Sequence, residues 1–336
     1  MILIISYPYS SETQALIREL TRIGRHDVHI VDLSEFPMRM HLNMSYNSSG
    51  ENRYCLHLAD GSQIHLEEVS AVWWHHYQPF AELFEFPTAL DNPAHRHFAI
   101  KEAETAFRGL WQTSSALWIN DIQREEAASH KPWQLNLARE LGLTIPDTLI
   151  TNSPESARQY WSEYLGEIVY KAFHSNSKIR RWETRLLKPE EEALAQCIQL
   201  TPVIFQRYVP VLYDLRITIV GDRIFAAELH TQQGEYQVDV RLNRNMPCYP
   251  HTLPAEVAQK LLTLMERLGL EYGAIDMRLT PDGDYVFLEI NPNGSYFYIE
   301  EAKGLPISRT LAERLSQGHS GTSRSQEVTP STVAVV

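Results

Sequence analysis

The run Val286-Phe287-Leu288-Glu289-Ile290-Asn291-Pro292-Asn293-Gly294 constrains this chain more than any other. It is a strongly apolar stretch that carries an acid and an amide two residues apart and ends in a Pro/Gly turn. Residues i and i+2 of a β-strand face the same side. Glu289 and Asn291 therefore aim two oxygen-bearing side chains at one spot. Upstream, Asp276 interrupts a second apolar run, Tyr272-Gly273-Ala274-Ile275-Asp276-Met277. Pro281-Asp282-Gly283-Asp284 lies between the runs, and Asp-Gly between apolar runs is a strong hairpin signal. Pairing the runs brings a third oxygen ligand to the other two. Hard cations such as Mg²⁺ take oxygen ligands and share them with substrate phosphates. Asp276, Glu289 and Asn291 are thus the candidate metal ligands; the alternative is a set of polar residues capping strand ends.

The bulk composition narrows the class. A chain of 336 residues is long enough for two or three structural units, and 43% hydrophobic with 21% charged residues fits an ordinary globular protein. No apolar run is long enough to cross a bilayer. Met1-Ile2-Leu3-Ile4-Ile5-Ser6-Tyr7-Pro8 lacks a basic flank and a small-residue cleavage site, so it reads as a first strand and not as a signal peptide. The expected location is the cytoplasm, with no membrane partner. Cys55, Cys197 and Cys248 are scattered without CxxC spacing, which argues against a disulfide framework and a zinc site. A net charge of −12 argues against general nucleic-acid binding, although Lys178-Ile179-Arg180-Arg181 is a local basic run.

Along the chain, residues 1–33 read as strand, helix (Ser11 to Ile23) and strand (Val28 to Val31), the β-α-β opening of an α/β domain. A further strand is expected at Ser70–Trp74 and a helix over His95–Leu117, with a boundary near Asn120. A helix is expected from Ala127 to Leu141, stopped by Gly142. Strand and helix patterns then alternate: a helix over Pro154–Tyr164, a strand over Glu167–Lys171, a helix over Pro189–Gln199 and a strand over Val203–Gln206. Further strands are expected at Asp214–Val220, Arg223–His230 and Tyr236–Val240, and helices at Pro254–Leu268 and Ile307–Leu315. The last 21 residues, Ser316 to Val336, are rich in Ser, Thr and Gly and read as disordered.

Several cations sit inside apolar strands: Lys171 after Ile168-Val169-Tyr170, Arg216 within Leu215-Arg216-Ile217, and Arg241 after Val238-Asp239-Val240, with Arg244 competing for the same role. Burying such a charge without a partner costs several kcal/mol. A polyphosphate is one partner that lysine and arginine are suited to bind; a structural ion pair with a buried acid is the other. Three cations with three metal ligands fit a nucleoside triphosphate site. Neither GxxxxGK[ST] nor GxGxxG occurs, so the P-loop and dinucleotide fingerprints are absent.

In this order the motifs resemble the ATP-grasp ligases, and within them the microviridin-type peptide maturases (graspetide synthetases), which are related to ribosomal-protein glutamate ligase. His130-Lys131-Pro132-Trp133-Gln134-Leu135 resembles the helix carrying a first nucleotide lysine, and Ile168-Val169-Tyr170-Lys171 the strand carrying a second. Phe205-Gln206-Arg207-Tyr208-Val209-Pro210 is similar to the interdomain hinge that holds adenine through backbone groups. Asp214-Leu215-Arg216 is similar to the strand whose arginine faces the reacting phosphate, and the Asp276 and Glu289 runs look like the metal strands. Glu67-Glu68-Val69-Ser70-Ala71-Val72-Trp73 resembles a phrase in the first domain of the peptide maturases.

The resemblance covers about residues 1–315. It implies an α/β ATP-grasp fold: an N-terminal domain over 1–120, one lobe over 121–205 with a leader-binding hairpin and helix, a second lobe over 206–315 with the metal site, and a tail over 316–336. It implies ATP and Mg²⁺ as cofactors. Lys131, Lys171, Gln206, Arg207, Tyr208, Val209 and Asp214 would bind the nucleotide, and Arg216 and Arg241 would stabilise charge at the reacting group. Glu190 and Glu191 would grip a basic residue of a precursor-peptide leader. The implied reaction activates Asp or Glu side chains of that peptide as acyl phosphates and closes ester or amide crosslinks. The rival within the family joins two separate molecules. A homodimer is also implied.

Overall fold

The computed structural model describes residues 1–75, 92–164, 167–173, 183–187, 198–230 and 247–318. Glu190, Glu191 and Arg241 lie outside the described residues, as do Arg244, the Lys178–Arg181 run, the strand expected over Tyr236–Val240 and nearly all of the expected leader-binding helix.

The chain opens with β1 (Ile2–Ile5), α1 (Ser11–Arg22) and β2 (Val28–Val31). Ser10 caps α1 by accepting a hydrogen bond from the Thr13 amide at 3.1 Å. An antiparallel layer follows, β3 (His41–Tyr46), β4 (Asn52–His57) and β5 (Gln63–His65), then β6 (Ala71–Trp74), α2 (Pro93–Thr113) and β7 (Leu117–Ile119). Strands β2, β1, β6 and β7 form a parallel sheet in that order. The helix expected over His95–Leu117 stops at Thr113 because Leu117-Trp118-Ile119 is needed as a strand beside β6.

Alternation along these strands feeds two cores. Ile2, Ile4, Trp73, Leu117 and Ile119 face one; Leu3, Ile5, Val72, Trp74 and Trp118 face the other, against Phe107 and Trp111 of α2. Both faces being covered is what a parallel sheet requires.

Next come α3 (Ile122–Ala128) and α4 (Lys131–Glu140). The expectation of one helix from Ala127 is corrected here. Pro132 falls in the first turn of α4, where a missing amide costs nothing, and the chain breaks at Ser129-His130 ahead of it. Strand β8 (Thr148–Thr151), α5 (Pro154–Glu163), β9 (Ile168–Lys171), β10 (Arg185–Leu186) and β11 (Val203–Arg207) give an antiparallel sheet in the order β10-β9-β11-β8.

A second antiparallel sheet, β14-β13-β12-β15-β16, is built from β12 (Tyr213–Val220), β13 (Arg223–Leu229), β14 (Cys248–His251), β15 (Tyr272–Leu279) and β16 (Tyr285–Asn291). Helix α6 (Ala255–Leu268) covers one face and ends at Gly269, whose φ of 69° is left-handed. Helices α7 (Phe297–Lys303) and α8 (Ile307–Gln317) close the described chain; α8 runs two residues beyond the expected Leu315.

The N-terminal sheet and the last sheet share a core. Val220, Ala227, Leu229 and Tyr272 pack in one cluster with Ile2, Trp73, Ile119 and Leu311. Asn120, directly after β7 and fully buried, locks this junction. Its Nδ2 donates to the carbonyls of Tyr272 at 2.9 Å and Pro292 at 2.8 Å. Its Oδ1 accepts from the amides of Glu271 at 2.9 Å and Tyr272 at 2.8 Å. All four hydrogen-bonding positions of the amide are filled. Below it, Glu125 of α3 accepts from Asn293 at 2.9 Å. Burial pushes the Glu125 carboxyl up to about 8, against the opposing pull of the neighbouring Asn293 and Asn120 amides.

Two outcomes are expected. Asn120→Ala should lower unfolding free energy by about 3 kcal/mol, measured by denaturant titration, because several buried hydrogen bonds at about 1 kcal/mol each are lost and their partners stay buried. Glu125 is protonated in the native state up to about pH 8 but ionises near 4.5 when unfolded. The wild type should therefore lose stability as pH rises from 4.5 to 8, on the order of 5 kcal/mol from this group, and Glu125→Gln should remove that component of the slope.

Candidate active site

The β15–β16 hairpin turns at Thr280–Asp284, where the Thr280 amide donates to the Asp284 carbonyl at 2.9 Å and Gly283 takes a φ of 91°. Pairing puts Asp276 opposite Glu289 and Ala274 opposite Asn291. A β-bulge between Asp276 and Met277 makes this possible. Phe287 pairs with Met277 and points into the core, so regular alternation would send Glu289 the same way. The extra residue, Leu288, reverses the phase and turns Glu289 and Asn291 to the opposite face.

On the other side of β15, Arg216 of β12 stands opposite Asp276. Three strands thus lay Arg216, Asp276 and Glu289 in one row across the sheet. Arg216 Nη1 donates to Asp276 Oδ1 at 2.8 Å, and Nη2 to the Ser295 carbonyl at 2.8 Å. Asn291 Nδ2 lies 3.3 Å from Asp276 Oδ2 and 3.5 Å from Glu289 Oε1. The structure therefore brings Asp276, Glu289 and Asn291 together with Arg216.

Two lysines join the row from outside this sheet. Lys131, the first residue of α4, hydrogen-bonds Glu289 Oε2, and Lys171, the last of β9, lies 3.9 Å from the same oxygen. Both ammonium groups are largely buried. Gln134 places α4. One turn after Lys131, it donates to the Ile290 carbonyl at 2.8 Å and accepts from the Ile290 amide at 3.1 Å. It thereby occupies hydrogen-bonding groups on the outer edge of β16. Gln134 escaped the sequence reading; the signal for it was a glutamine on the apolar face shared with Leu135, Leu137 and Ala138.

Burial pushes the Asp276 carboxyl up, the Glu289 charge adds to that push and Arg216 opposes it. For Arg216, burial disfavours the charge, but Asp276 outweighs it and the guanidinium is raised above its ordinary value. Arg216 Nε is buried with no hydrogen-bond partner among the described residues.

Residues 206–209, where the hinge is expected, are held by backbone and side-chain hydrogen bonds. The Arg207 amide donates to the Asp147 carbonyl at 2.9 Å, and the Tyr208 amide to the Glu167 carbonyl at 2.8 Å. The Gln206 side chain is buried and donates to Thr148 at 2.9 Å. Asp214 is paired with Arg278, Nε to Oδ1 at 2.8 Å, and Arg278 also donates to the Val209 carbonyl at 2.9 Å. Arg278 was missed, although it carries the signal that flagged Arg216: a cation inside an apolar strand. His75 stacks on Trp73 at 4.6 Å within the N-terminal core, as expected of a structural histidine.

Two α+β lobes whose charged side chains converge between them, behind an N-terminal α/β sheet, define an ATP-grasp enzyme. Residues 1–126 match the family model described as the MvdD pre-ATP grasp domain. The macrocyclase MdnC of Microcystis aeruginosa MRC, solved bound to precursor peptide MdnA, superposes with a TM-score of 0.83 at 30% identity, over 94% of this chain and 99% of that one. A RiPP-associated ATP-grasp ligase from Chryseobacterium gregarium, solved with ADP and a leader and core peptide, shares the fold at 23% identity and a TM-score of 0.83, over 94% of this chain and 96% of that one. The chain belongs to the family of ATP-grasp ligases that includes MdnC. Among curated proteins, β-citrylglutamate synthase B of Danio rerio is 23% identical over 192 residues, 55% of this chain and 46% of its own. The chain spans about half the length of the curated relatives it matches.

Gly294 follows from this packing. A Cβ there would come within 2.7 Å of both Ala274 Cβ and Arg216 Nη2. Gly294→Ala should destabilise the protein by about 1–3 kcal/mol through overpacking. Ala274→Gly in the same chain relieves one of the two contacts and should recover only part of that loss; denaturant titration of the two variants checks it.

Proposed function

We propose that this chain is an ATP-dependent ligase that activates Asp or Glu side-chain carboxylates of a precursor peptide and closes intramolecular ester or amide crosslinks. One observation carries the reading: three cations from three elements converge on a row of two carboxylates and an amide, in a chain 30% identical to a macrocyclase over nearly its whole length.

The residues fit a metal-bound polyphosphate. Both carboxylates of the row are already held by cations, and turning the Asn291 amide about its Cβ–Cγ bond would present Oδ1 beside them. Arg216 Nε is a buried donor left over. We assign Asp276, Glu289 and Asn291 as Mg²⁺ ligands. When bound, the ion would neutralise phosphate charge. Lys131 and Lys171 would exchange Glu289 for phosphate oxygens, and residues 206–209 with Asp214 would frame the adenine.

In the reaction, a peptide carboxylate oxygen bonds to the γ-phosphorus of ATP and ADP leaves, giving an acyl phosphate. A hydroxyl or amine of the same peptide then bonds to the acyl carbon, loses its proton, and phosphate departs. Arg216, with Arg241, would stabilise charge on the transferring group or the acceptor carboxylate. No protein nucleophile is needed; positioning and electrostatics supply the catalysis. Residues 1–120 serve as the pre-ATP-grasp domain, 121–205 and 206–315 as the lobes, and Glu190 and Glu191 as the leader grip. We take the enzyme to act in the cytoplasm as a homodimer.

The rival reaction, joining two separate molecules, is favoured by the curated relatives, which are named as β-citrylglutamate and N-acetylaspartylglutamate synthases. Mass spectrometry of a precursor peptide incubated with enzyme, Mg²⁺, ATP and a mixture of free amino acids separates the two. Loss of one water per bond is expected; a gain of an amino-acid residue would support the rival, and no ADP release would end both. Lys171→Met and Glu289→Gln should each lower turnover by about a hundredfold or more.

A further inference from the structure

The face of β12 and β15 that carries Arg216 and Asp276 holds a second pair with the charges exchanged. Asp214 lies two residues before Arg216, and Arg278 two residues after Asp276, so all four side chains share a face. Asp214 stands opposite Arg278 as Arg216 stands opposite Asp276. Arg278 Nε donates to Asp214 Oδ1 at 2.8 Å, with both residues buried. Its Nη1 reaches the Val209 carbonyl at 2.9 Å, and its guanidinium lies 5.5 Å over the Tyr208 ring.

Those contacts fall where the chain changes lobes. Up to Tyr208 the backbone is tied to the first lobe: Gln206 and Arg207 pair with Val169 and Ile168 of β9, and the Tyr208 amide donates to the Glu167 carbonyl. From Val209 onward the ties belong to the second lobe. Arg278 holds the Val209 carbonyl, and the Leu212 amide donates to the Leu279 carbonyl at 2.8 Å. The hand-over is thus at the Tyr208–Val209 peptide, and Arg278 is the side chain that fixes it from the strand bearing Asp276.

We propose that Arg278 is a positioning residue that clamps the interlobe hinge onto the phosphate-transfer strand, so that an adenine held at residues 206–209 is in register with the Arg216–Asp276–Glu289 row. This rests on the reading of the cleft as an ATP site. Arg278 itself touches neither nucleotide nor peptide in this assignment. It fixes the Val209 carbonyl through one donor and is oriented by Asp214 through another. Lysine cannot do both, because it lacks the fork of donors with fixed geometry.

The test is calorimetric binding of Mg·ATP and, separately, of magnesium tripolyphosphate to the full chain without peptide. Arg278→Lys should weaken Mg·ATP by about tenfold, a loss expected of a misplaced contact, while tripolyphosphate binding stays within about twofold. A change in overall folding would weaken both. Arg278→Lys keeps a cation opposite Asp214, leaves no buried unpaired carboxylate, and should melt at a temperature near that of the wild type. Unchanged Mg·ATP affinity in folded Arg278→Lys overturns the clamp and leaves the ATP site standing, as does an equal loss for both ligands. Failure of the wild type to bind either ligand overturns the ATP site and the clamp together.

Discussion

A row of one cation and two carboxylates laid across three β-strands is the interaction on which the rest of this structure depends. Arg216, Asp276 and Glu289 stand side by side because β12, β15 and β16 pair in one register. Each of these charges is partly or wholly withdrawn from water, and a withdrawn charge is tolerated only with partners in good geometry. Arg216 and Asp276 satisfy each other. Glu289, on the outer strand, is held by Lys131 and Lys171. The two lysines belong to a helix and to another sheet. The electrostatic need of one carboxylate therefore draws three separate elements to one point.

The N-terminal sheet supports that point although it contributes no charge to the row. Trp73 of β6 meets Tyr272 edge-to-face at 5.2 Å, and the Tyr272 hydroxyl donates to the Gly294 carbonyl. Gly294 lies against Arg216, and the next carbonyl, Ser295, accepts from it. Asn120 holds Pro292 in the same turn. The turn after β16 is thus fixed from the parallel sheet on one side and carries the arginine on the other. A domain that looks accessory in sequence is, by packing, the floor of the site.

Much of this was legible in the sequence, for identifiable reasons. Asp276, Glu289 and Asn291 could be brought together because Asp282-Gly283 names the hairpin and the acids interrupt apolar runs. Lys171 and Arg216 could be found because a cation inside an apolar strand demands a partner. Other features were hidden by local rules. The same-face rule holds for Glu289 and Asn291 but fails between Phe287 and Glu289, since nothing in the residues announces that Leu288 is a bulge. Strand β14 was overlooked because Pro250 lies within it, which an edge strand accepts. Gln134 does its work on another element's backbone, so its partner, Ile290, is invisible from its own neighbourhood. Arg278 carried the signal that exposed Arg216 but lacked a catalytic motif to draw attention to it.

The two charge pairs on β12 and β15 illustrate how one strand face can serve two purposes. Arg216 points its charge toward the row, where the spare Nε leaves it a donor to offer. Arg278 spends its donors on Asp214 and on the backbone of the hinge. The chemistry of the two arginines is identical, and so is the opposing acid; what differs is the third neighbour. Beside Arg216 that neighbour is the turn after β16, held by the N-terminal sheet, and beside Arg278 it is the peptide where the chain leaves the first lobe. Both side chains stand on adjacent positions of one rigid sheet. The two arginines are thus two residues of β-strand apart, one tied to the Val209 carbonyl and the other to the row, so the sheet keeps the row in place whether or not the Val209 peptide is held.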